Sequence, residues 1–267
     1  MNLYGVFGNP IEHSLSPEIH NQFAQQTGYE INYKKLLAPL GDFNSSADKF
    51  IKEGAIGFNV TVPFKIDAFN YATELTSNAE AAGAVNTIKI SKDKVIGENT
   101  DGIGLVNDLI DNLGITIKDK IVLVLGAGGA TQGILLPLLQ KNPKRIMIAN
   151  RTKSKAKDLK HKFSKHGTTC GFSLDQIKDE PVDIIINATS ASLDGSVPDI
   201  ASGAVKGSIC YDLMYGKQTS FMKWAKDNKA EMVVDGLGML VEQAAAAFTF
   251  WTGKHPNTKK VLENLRS

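Results

Sequence analysis

The sequence predicts an α/β protein with two domains, and three observations lead to this fold class. Short apolar runs rich in β-branched residues alternate with helical patterns along the 267 residues, which is typical of βα units and largely parallel sheets. The alternation comes in two series. Glycine-marked joints, Asn99–Gly104 and Asp235–Gly238, lie at the two ends of the second series. We expect a first domain over residues 1–101, completed by 236–267, and a second over 102–235.

The first series predicts a mostly parallel sheet with helices between its strands. The β-branched runs are short enough for strands, and the helical patterns between them are longer. We expect strands at Leu3–Gly8, Asn32–Leu37, Gly57–Val62 and Ala84–Ile90, and helices at Pro17–Thr27 and Asp42–Glu53.

The second series predicts a parallel sheet, followed by a long apolar helix to about Trp251. Its strands are expected at Ile121–Leu125, Arg145–Ala149, Asp183–Asn187, Ser208–Leu213 and Glu231–Val234, and its helices near Gly129–Lys141, Lys153–Lys165 and Gln218–Asp227. Because glycine supplies the backbone freedom that hinges need, we expect hinges at the two joints and a cleft between the domains. The last helices are expected to cross back to the first domain.

Composition excludes several classes of protein. A net charge of +2, with 42% apolar and 22% charged residues, gives no basic stripe for nucleic acid or a membrane surface. The most apolar stretch, Leu237–Gly253, contains Glu242 and is too short to span a bilayer. Cys170 and Cys210 form no disulfide framework or metal motif. With no signal peptide at the N-terminus, we expect a cytoplasmic protein without a metal, and a monomer and a homodimer both remain open.

The segment after the strand Ile121–Leu125 predicts a Rossmann-type dinucleotide site. Gly126 would permit the tight turn, Gly128 would let the backbone approach a pyrophosphate, and the following helix offers unpaired N–H groups. The third position of the fingerprint holds Thr131 instead of glycine or alanine. A plain glycine-rich turn is the alternative. We favour the dinucleotide site because strand, loop and helix occur in that order, with a second βα unit following.

The end of the second strand predicts which dinucleotide binds. An NAD site usually has an acidic residue after Arg145–Ala149, to hold the ribose 2′-hydroxyl. No acidic residue occurs from Gly126 to Lys157, and Arg151 follows the strand instead. A guanidinium and a neighbouring hydroxyl would bind a 2′-phosphate, so we predict NADP(H). The alternative for these basic residues is a solvated helix face, which we accept for Lys153 and Lys157.

A polar segment in the first domain is the candidate for acid–base chemistry. Hydride transfer to a ketone needs a proton donor at the developing alkoxide. Asn59 and Thr61 interrupt what should be an apolar strand, and Pro63 is typical of a first helical position. That places Lys65 in the first helical turn, where the macrodipole disfavours a cation. The alternative is an exposed surface lysine.

Two further segments could complete this site. Asp101 either caps the helix that follows it or pairs with Lys65. Ser16 before Pro17 is a good N-cap signal and could be purely structural, whereas Ser14 has no capping role.

The last long helix and the histidines supply other candidates. Met239 and Gln243 are four residues apart and share one helix face. A glutamine within an apolar run needs a hydrogen-bond partner. Of the histidines, His13 and His20 are nearest the polar segment in sequence.

Taken together and in order, these segments resemble the bacterial shikimate dehydrogenase family over essentially the whole chain. No single segment is decisive, but the ordered set is highly specific. The matching segments are Gly8–Pro17, Asn59–Lys65, Gly83–Thr87, Asn99–Gly102, Gly126–Ala130, Asn150–Thr152, Asn187–Ser190, Tyr211–Asp212 and Asp235–Gln243.

The resemblance implies reversible reduction of 3-dehydroshikimate to shikimate with NADPH. It implies that Lys65 and Asp101 are the catalytic acid–base pair. It further implies substrate contacts by Ser14, Ser16, Thr61, Lys65, Asn86, Asp101, Tyr215 and Gln243, and cofactor contacts by Gly126, Ala127, Gly128, Gly129, Ala130, Asn150, Arg151, Thr152, Lys155, Thr189, Gly236 and Met239.

Two alternatives accompany the resemblance. A quinate/shikimate dehydrogenase that uses NAD would usually carry an acidic residue after the second strand, which this chain lacks. A non-catalytic NADP-binding relative would be free to lose Lys65 or Asp101, which this chain keeps. One departure from the family is Ser192, where glycine is frequent, and it leaves the conformation of that loop open.

Overall fold

A computed structural model describes residues 1–189, 191 and 195–266, which divide into two compact units. The first unit comprises Met1–Gly104 and Leu240–Ser267, and the second comprises Leu105–Met239. Ser190 and Ser192 lie outside the described residues.

The first unit contains a mixed sheet and the helices that surround it. Its elements are β1 (Asn2–Gly8), α1 (Ser16–Thr27), β2 (Ile31–Leu37), α2 (Phe43–Lys52), β3 (Ala55–Val60), α3 (Lys65–Tyr71), β4 (Glu74–Leu75), α4 (Ser77–Ala82), β5 (Thr87–Ser91), β6 (Lys94–Glu98) and, at the end of the chain, α10 (Thr258–Arg266). Two helices run through a unit boundary, α5 (Asp101–Asn107) and α9 (Leu237–Thr252).

The second unit contains a parallel sheet and its crossover helices. Its elements are β7 (Ile121–Leu125), α6 (Gly129–Leu139), β8 (Arg145–Ala149), α7 (Lys153–Phe163), β9 (Thr169–Phe172), β10 (Ile184–Asn187), β11 (Ile209–Asp212), α8 (Ser220–Asp227) and β12 (Met232–Val234). A π-helical turn, Asp108–Asn112, directly follows α5.

The first sheet has the strand order β2-β1-β3-β5-β6-β4. Its pairings are parallel except that β5 runs antiparallel to both β3 and β6. One face buries a cluster of aromatic rings that includes Phe7, Phe43 and Phe58. On α9, the Trp251 indole N–H donates to the carbonyl oxygen of Ile88 at 2.8 Å. The predicted mostly parallel sheet and the return of the last helix pair to the first unit are therefore confirmed.

The second sheet is parallel throughout, in the order β12-β11-β10-β7-β8-β9. The strands β7 and β8 have the predicted bounds: β7 is a continuous apolar run that ends before Gly126, and β8 is an apolar run that follows Arg145 and ends before Asn150. The strand order reverses beside β7, and ligands of open α/β sheets bind at the carboxyl ends of the strands at such a point. The loop Gly126–Gly128 leaves β7 at this end.

Several boundaries differ from the expected ones. β3 ends at Val60, not Val62, because a turn closed by the N–H of Phe64 and the carbonyl oxygen of Thr61 follows it. β5 begins at Thr87, not Ala84. The short elements β4, β6, β9 and α4 were not predicted. The helix expected to begin at Pro63 is α3, which begins at Lys65.

The glycines of the second joint, Asp235–Gly238, are closely packed. Gly236 and Gly238 do not have positive φ angles. A Cβ at Gly236 would lie 2.2 Å from the carbonyl oxygen of Leu213, and one at Gly238 would lie 2.0 Å from Oδ1 of Asp108. Close packing, rather than backbone freedom, therefore explains these two glycines.

The described part of the chain contains no helix that is both long enough and apolar enough to cross a membrane. Among the same residues, no cluster of three or more histidine, cysteine or acidic side chains could hold a metal ion.

Candidate active site and dinucleotide site

Lys65 and Asp101 form a close ion pair in the first unit. The Lys65 ammonium donates to Oδ2 of Asp101 at 2.5 Å, and the two side chains are 29% and 13% exposed. Lys65 is the first residue of α3, as expected for the first helical turn. Pro63 is not the first helical position, because the turn closed by Phe64 delays the helix by two residues.

Asp101 is the first residue of α5 and not its N-cap. Its own N–H donates to Oδ1 of Asn99, so the preceding loop satisfies this end of the helix. The carboxylate is committed to two donors instead, the Lys65 ammonium and Nδ2 of Asn86, which lies 2.8 Å from its Oδ1. The structure therefore favours the pairing alternative over the capping one.

Asn86 is the centre of the polar group that holds this pair. Its Oδ1 accepts from the N–H of Thr100 at 2.9 Å, and its Nδ2 points to Asp101 and to Oε1 of Gln243. Gln243 also donates from Nε2 to the carbonyl oxygen of Leu240. The partner that the sequence requires for a glutamine in an apolar helix is therefore present, and four predicted site residues lie together.

Ser16 is the first residue of α1 and not the N-cap that its place before Pro17 predicts. α1 begins at Ser16, the N-cap is Leu15, and no side chain caps the helix. The Ser14 hydroxyl accepts from the N–H of Ser16 at 3.3 Å, so Ser14 has a local structural role that we did not expect. Thr61 is half-buried, with its N–H donating to the carbonyl oxygen of Phe7.

Asn59 connects Tyr33 to Asn86 through hydrogen bonds. Its Oδ1 accepts from the Tyr33 hydroxyl at 2.7 Å, and its Nδ2 donates to the carbonyl oxygen of Asn86. Burial raises the pKa of Tyr33 well above its ordinary value, and a hydrogen bond from Ser16 opposes the shift. The signal for this residue was its polar side chain in an apolar strand, but nothing in the sequence identified its partners.

The loop after β7 has the geometry of a dinucleotide turn. Gly126 has φ +107°, and a Cβ there would lie 3.2 Å from the carbonyl oxygen of Ala188, so only glycine is suited to this position. Thr131, the imperfect third position, is fully buried, and its hydroxyl donates to the carbonyl oxygen of Gly126 at 3.0 Å. Thr131 departs from the fingerprint in sequence, but its hydroxyl stabilises the glycine turn.

The amino end of α6 is open to a ligand. Gly128 precedes the helix, and a Cβ there would meet no atom within 4 Å. Ala127 is half-buried, while Gly128, Gly129 and Ala130 are exposed. The unpaired N–H groups and positive end of the helix dipole suit a pyrophosphate.

The end of β8 completes a cavity of about 660 Å³ with this loop. Arg151 lines it and is exposed, and it forms no ion pair with any residue the structure describes. Asn150 donates from Nδ2 to the carbonyl oxygen of Thr152, and the N–H of Lys155 donates to that same oxygen. The exposed carboxylates Asp175 and Asp199 line the same cavity. Both lie outside the segment Gly126–Lys157, so the absence of acid from that segment does not exclude carboxylates from the cavity.

Thr189 is held against the glycine loop by a buried polar pair. Its N–H and hydroxyl both donate to Oδ1 of Asn187, at 3.2 and 2.7 Å. Nδ2 of Asn187 donates to Asp212, which also accepts from the Thr219 hydroxyl. The predicted cofactor residue therefore has a fixed position at the carboxyl end of β10.

The remaining predicted residues of the second unit lie near β11. Gly236 packs on the backbone of Leu213, and its N–H donates to the carbonyl oxygen of Met214. The N–H of Met239 donates to the Tyr211 hydroxyl at 3.2 Å. Tyr215 is partly buried, and burial raises the pKa of its hydroxyl.

Comparison with known families gives three matches along the chain. The family described as the shikimate dehydrogenase substrate binding domain matches residues 6–88. The family described as shikimate / quinate 5-dehydrogenase matches residues 108–194, and the shikimate 5'-dehydrogenase C-terminal domain matches residues 236–266.

Individual relatives match over the full length. The shikimate dehydrogenase (NADP(+)) of Ruthia magnifica is 68% identical over 267 residues, which cover 100% of both chains. The crystal structure of an Ael1 enzyme from Pseudomonas putida is 38% identical with a TM-score of 0.96, covering 99% of this chain and 98% of that one. The shikimate 5-dehydrogenase of Thermus thermophilus, solved with NADP(H) and shikimate, is 29% identical with a TM-score of 0.87, covering 100% and 99%.

Proposed function

The chain belongs to the shikimate dehydrogenase family, and on that premise we propose that it catalyses the reversible NADPH-dependent reduction of 3-dehydroshikimate to shikimate. The observation that carries the proposal is the Lys65–Asp101 ion pair, held by Asn86 and only partly exposed. A non-catalytic relative would have no need to keep a lysine at the start of a helix, where the dipole opposes its charge.

The pair is suited to acid–base work on a carbonyl group. The dinucleotide, when bound, supplies the hydride to the carbonyl carbon. Lys65 donates a proton to the carbonyl oxygen as negative charge develops there, and its 29% exposed side chain regains a proton from water. Asp101 orients the ammonium and stabilises its charge. In the reverse direction Lys65 accepts the proton of the shikimate hydroxyl.

We assign substrate recognition to the short polar side chains of the first unit. A polyhydroxy acid offers many hydroxyl groups and one carboxylate, and each needs a directed hydrogen bond. Asn86 and Gln243 stand beside the catalytic pair, and Asn59 connects the Tyr33 hydroxyl to the carbonyl oxygen of Asn86. The set we propose is Ser14, Ser16, Thr61, Lys65, Asn86, Asp101 and Gln243 of the first unit, together with Tyr215 of the second unit.

The residues of the second unit fit NADP(H) better than NAD(H). The open glycine loop accepts a pyrophosphate, and Arg151, which has no ion-pair partner in the described chain, is available for a 2′-phosphate. Asn150, Thr152 and Lys155 lie beside it. The other proposed cofactor contacts are Gly126, Ala127, Gly128, Gly129, Ala130, Thr189, Gly236 and Met239.

We place the enzyme in a reducing compartment, the cytoplasm. Cys170 and Cys210 are both free thiols. Cys210 is buried, and burial raises its pKa to about 11, so it is chemically inert at neutral pH.

A steady-state comparison of shikimate and quinate, each with NADP+ and NAD+, tests the proposal. We expect kcat/KM for shikimate with NADP+ to exceed the NAD+ value by about 30-fold or more, since charge-assisted hydrogen bonds to a phosphate contribute about 2 kcal/mol. Lys65→Ala protein, purified identically, is the control for contaminating enzyme. Equal rates with NAD+, or a preference for quinate, would support the quinate/shikimate alternative, and no turnover would support the non-catalytic one.

A further inference from the structure

A buried polar cluster of His20, Asn59 and Thr87 lies behind Asn86 and does not contact the reacting groups. We propose that His20 is a positioning residue for the Lys65–Asp101 pair. It acts through Asn59, which hydrogen-bonds to the backbone carbonyl of Asn86 and, through the Thr87 hydroxyl, supports the orientation of the Asn86 amide. The inference deepens the proposed function and rests on it.

The orientation of the Asn59 amide follows from its partners. The backbone carbonyl of Asn86 can only accept, so Nδ2 of Asn59 must face it, at 3.2 Å. The second Nδ2 hydrogen points to the hydroxyl oxygen of Thr87 at 3.0 Å. Oδ1 therefore faces Nε2 of His20 at 3.2 Å and the hydroxyl of Tyr33 at 2.7 Å. All four hydrogen-bonding positions of this amide are in use.

This orientation determines the protonation of His20. Because an amide oxygen only accepts, the histidine must donate from Nε2, which leaves Nδ1 without a proton. Nδ1 is buried and has no hydrogen-bond partner among the described residues. Burial also lowers the pKa of His20 to about 3, so the ring is neutral near pH 7. Its ring stacks on that of Tyr33, with centroids 4.5 Å apart.

The donor and acceptor roles of the hydrogen bonds can be followed from Asn59 through Thr87 and Asn86 to Asp101. Thr87 accepts from Asn59, so its only proton goes to Oδ1 of Asn86, 2.9 Å away. With Oδ1 engaged there, Nδ2 of Asn86 faces the Asp101 carboxylate at 2.8 Å. The N–H of Thr100 also donates to Oδ1 of Asn86, which gives this amide a second anchor. Loss of the histidine should therefore weaken the arrangement without abolishing it.

The orientation matters because the two ends of an amide have opposite effects on a carboxylate. The Asn86 amide nitrogen stabilises the Asp101 charge, whereas its oxygen would repel it. A displaced carboxylate would move the Lys65 ammonium that it holds, and small displacements of an acid–base group are costly in rate. His20 hydrogen-bonds to Asn59, not to Lys65, so it positions the reacting group and does not take part in the chemistry.

Two substitutions of His20 separate the hydrogen bond from packing. His20→Phe keeps a planar ring for the stack on Tyr33 but removes the N–H. His20→Gln restores a donor at a position close to Nε2. We expect His20→Phe to lower kcat about tenfold, which corresponds to the contribution of roughly one buried hydrogen bond. KM for shikimate should not change. His20→Gln should recover kcat to within about threefold of the unmodified chain.

Phe23→Leu is the matched packing control. Phe23 is fully buried, its ring meets His20 edge-on at 5.9 Å, and it carries no polar atom. We expect it to lower the thermal midpoint while kcat stays the same. The inference is overturned if His20→Phe behaves like Phe23→Leu, or if His20→Gln is no better than His20→Phe. Absence of turnover in the unmodified chain would overturn the proposed function as well.

Nitrogen NMR of 15N-histidine-labelled protein gives a readout that does not depend on activity. The signal missing from the His20→Phe spectrum identifies His20. We expect a neutral ring protonated at Nε2, with no titration between about pH 5 and 8, where exposed histidines change charge. A ring protonated at Nδ1, or one that titrates in this range, would contradict the hydrogen-bond polarity on which the inference depends.

Discussion

The surroundings of Asp101 and the loop after β7 prepare two ligand sites by opposite means. Around Asp101, side chains form the site: Asn86, Thr100 and Gln243 are joined by hydrogen bonds and are mostly buried. After β7, the backbone forms the site, through a glycine turn and an exposed helix terminus, and Arg151 is left free in solvent.

The difference follows from the two tasks. Acid–base chemistry needs a proton donor held in one orientation, which buried hydrogen bonds supply. A dinucleotide needs a surface that its phosphates can approach, which glycine and unpaired N–H groups supply. Changes near Asp101 should therefore alter the rate of reaction, and changes near the loop should alter cofactor affinity.

Lys65→Ala should have the largest effect of these substitutions. If it left kcat unchanged, the surroundings of Asp101 would not control the reaction rate. Because the proton donor is lost, we expect kcat to fall by about 10³-fold with KM for shikimate within a few-fold. Steady-state kinetics with saturating NADP+ measures both. The control is Lys94→Ala, which removes an exposed ion pair with Glu74 in the same unit and should be neutral. Near-normal turnover of Lys65→Ala would exclude a catalytic role.

Arg151→Ala tests whether the region after β7 and β8 determines cofactor affinity. We expect KM for NADP+ to rise about 30-fold and KM for NAD+ to change little, since only NADP carries the 2′-phosphate that the guanidinium would bind. Fluorescence titration with both dinucleotides checks the affinities directly. Lys157→Ala, an exposed change on α7, is the matched control. Equal losses for the two cofactors would refute the phosphate assignment.

His20, in the buried surroundings of Asp101, should make the folding stability of the chain depend on pH. Its pKa is about 3 in the folded chain, against about 6.5 when unfolded. As pH falls below about 6.5 the unfolded chain takes up a proton that the folded chain does not, so stability is lost by about 1.4 kcal/mol per pH unit. Urea unfolding should show the unmodified chain losing about 2 kcal/mol more than His20→Gln between pH 6.5 and 5. Parallel losses would indicate that His20 is protonated in the fold.

Two glycine substitutions in the loop after β7 separate cofactor affinity from folding stability. Gly128→Ala meets no atom of the protein, so we expect stability within about 0.5 kcal/mol and NADP+ affinity lowered about tenfold by the methyl group in the phosphate path. Gly126→Ala, at φ +107°, should instead cost about 1 kcal/mol of folding stability. Thermal melts and cofactor titration on both variants check this. Normal cofactor affinity of Gly128→Ala would place the pyrophosphate elsewhere.

Features that depend on neighbours along the chain could be predicted from the sequence. The bounds of β7 follow from a continuous apolar run, the end of β8 follows from the apolar run before Asn150, and Lys65 does lie in a first helical turn. The partner of Gln243 was required by burial, although its identity was not evident. One prediction was wrong where a local signal competed with packing, because Ser16 does not cap α1. Gly236 packs closely on Leu213, and its role as a hinge stays a prediction.

The chain by itself therefore determined the order of its strands and helices, the glycine turn, and the absence of acid between Gly126 and Lys157, because each of these depends on residues close in sequence. Only the tertiary structure decided which polar groups meet. Asn59 bonds to His20 and to Asn86 because α1, β3 and the start of β5 pack together, and Thr131 bonds to Gly126 because the turn folds back on its helix. Hydrogen bonds act over about 3 Å, so they follow contacts in space that sequence spacing does not specify.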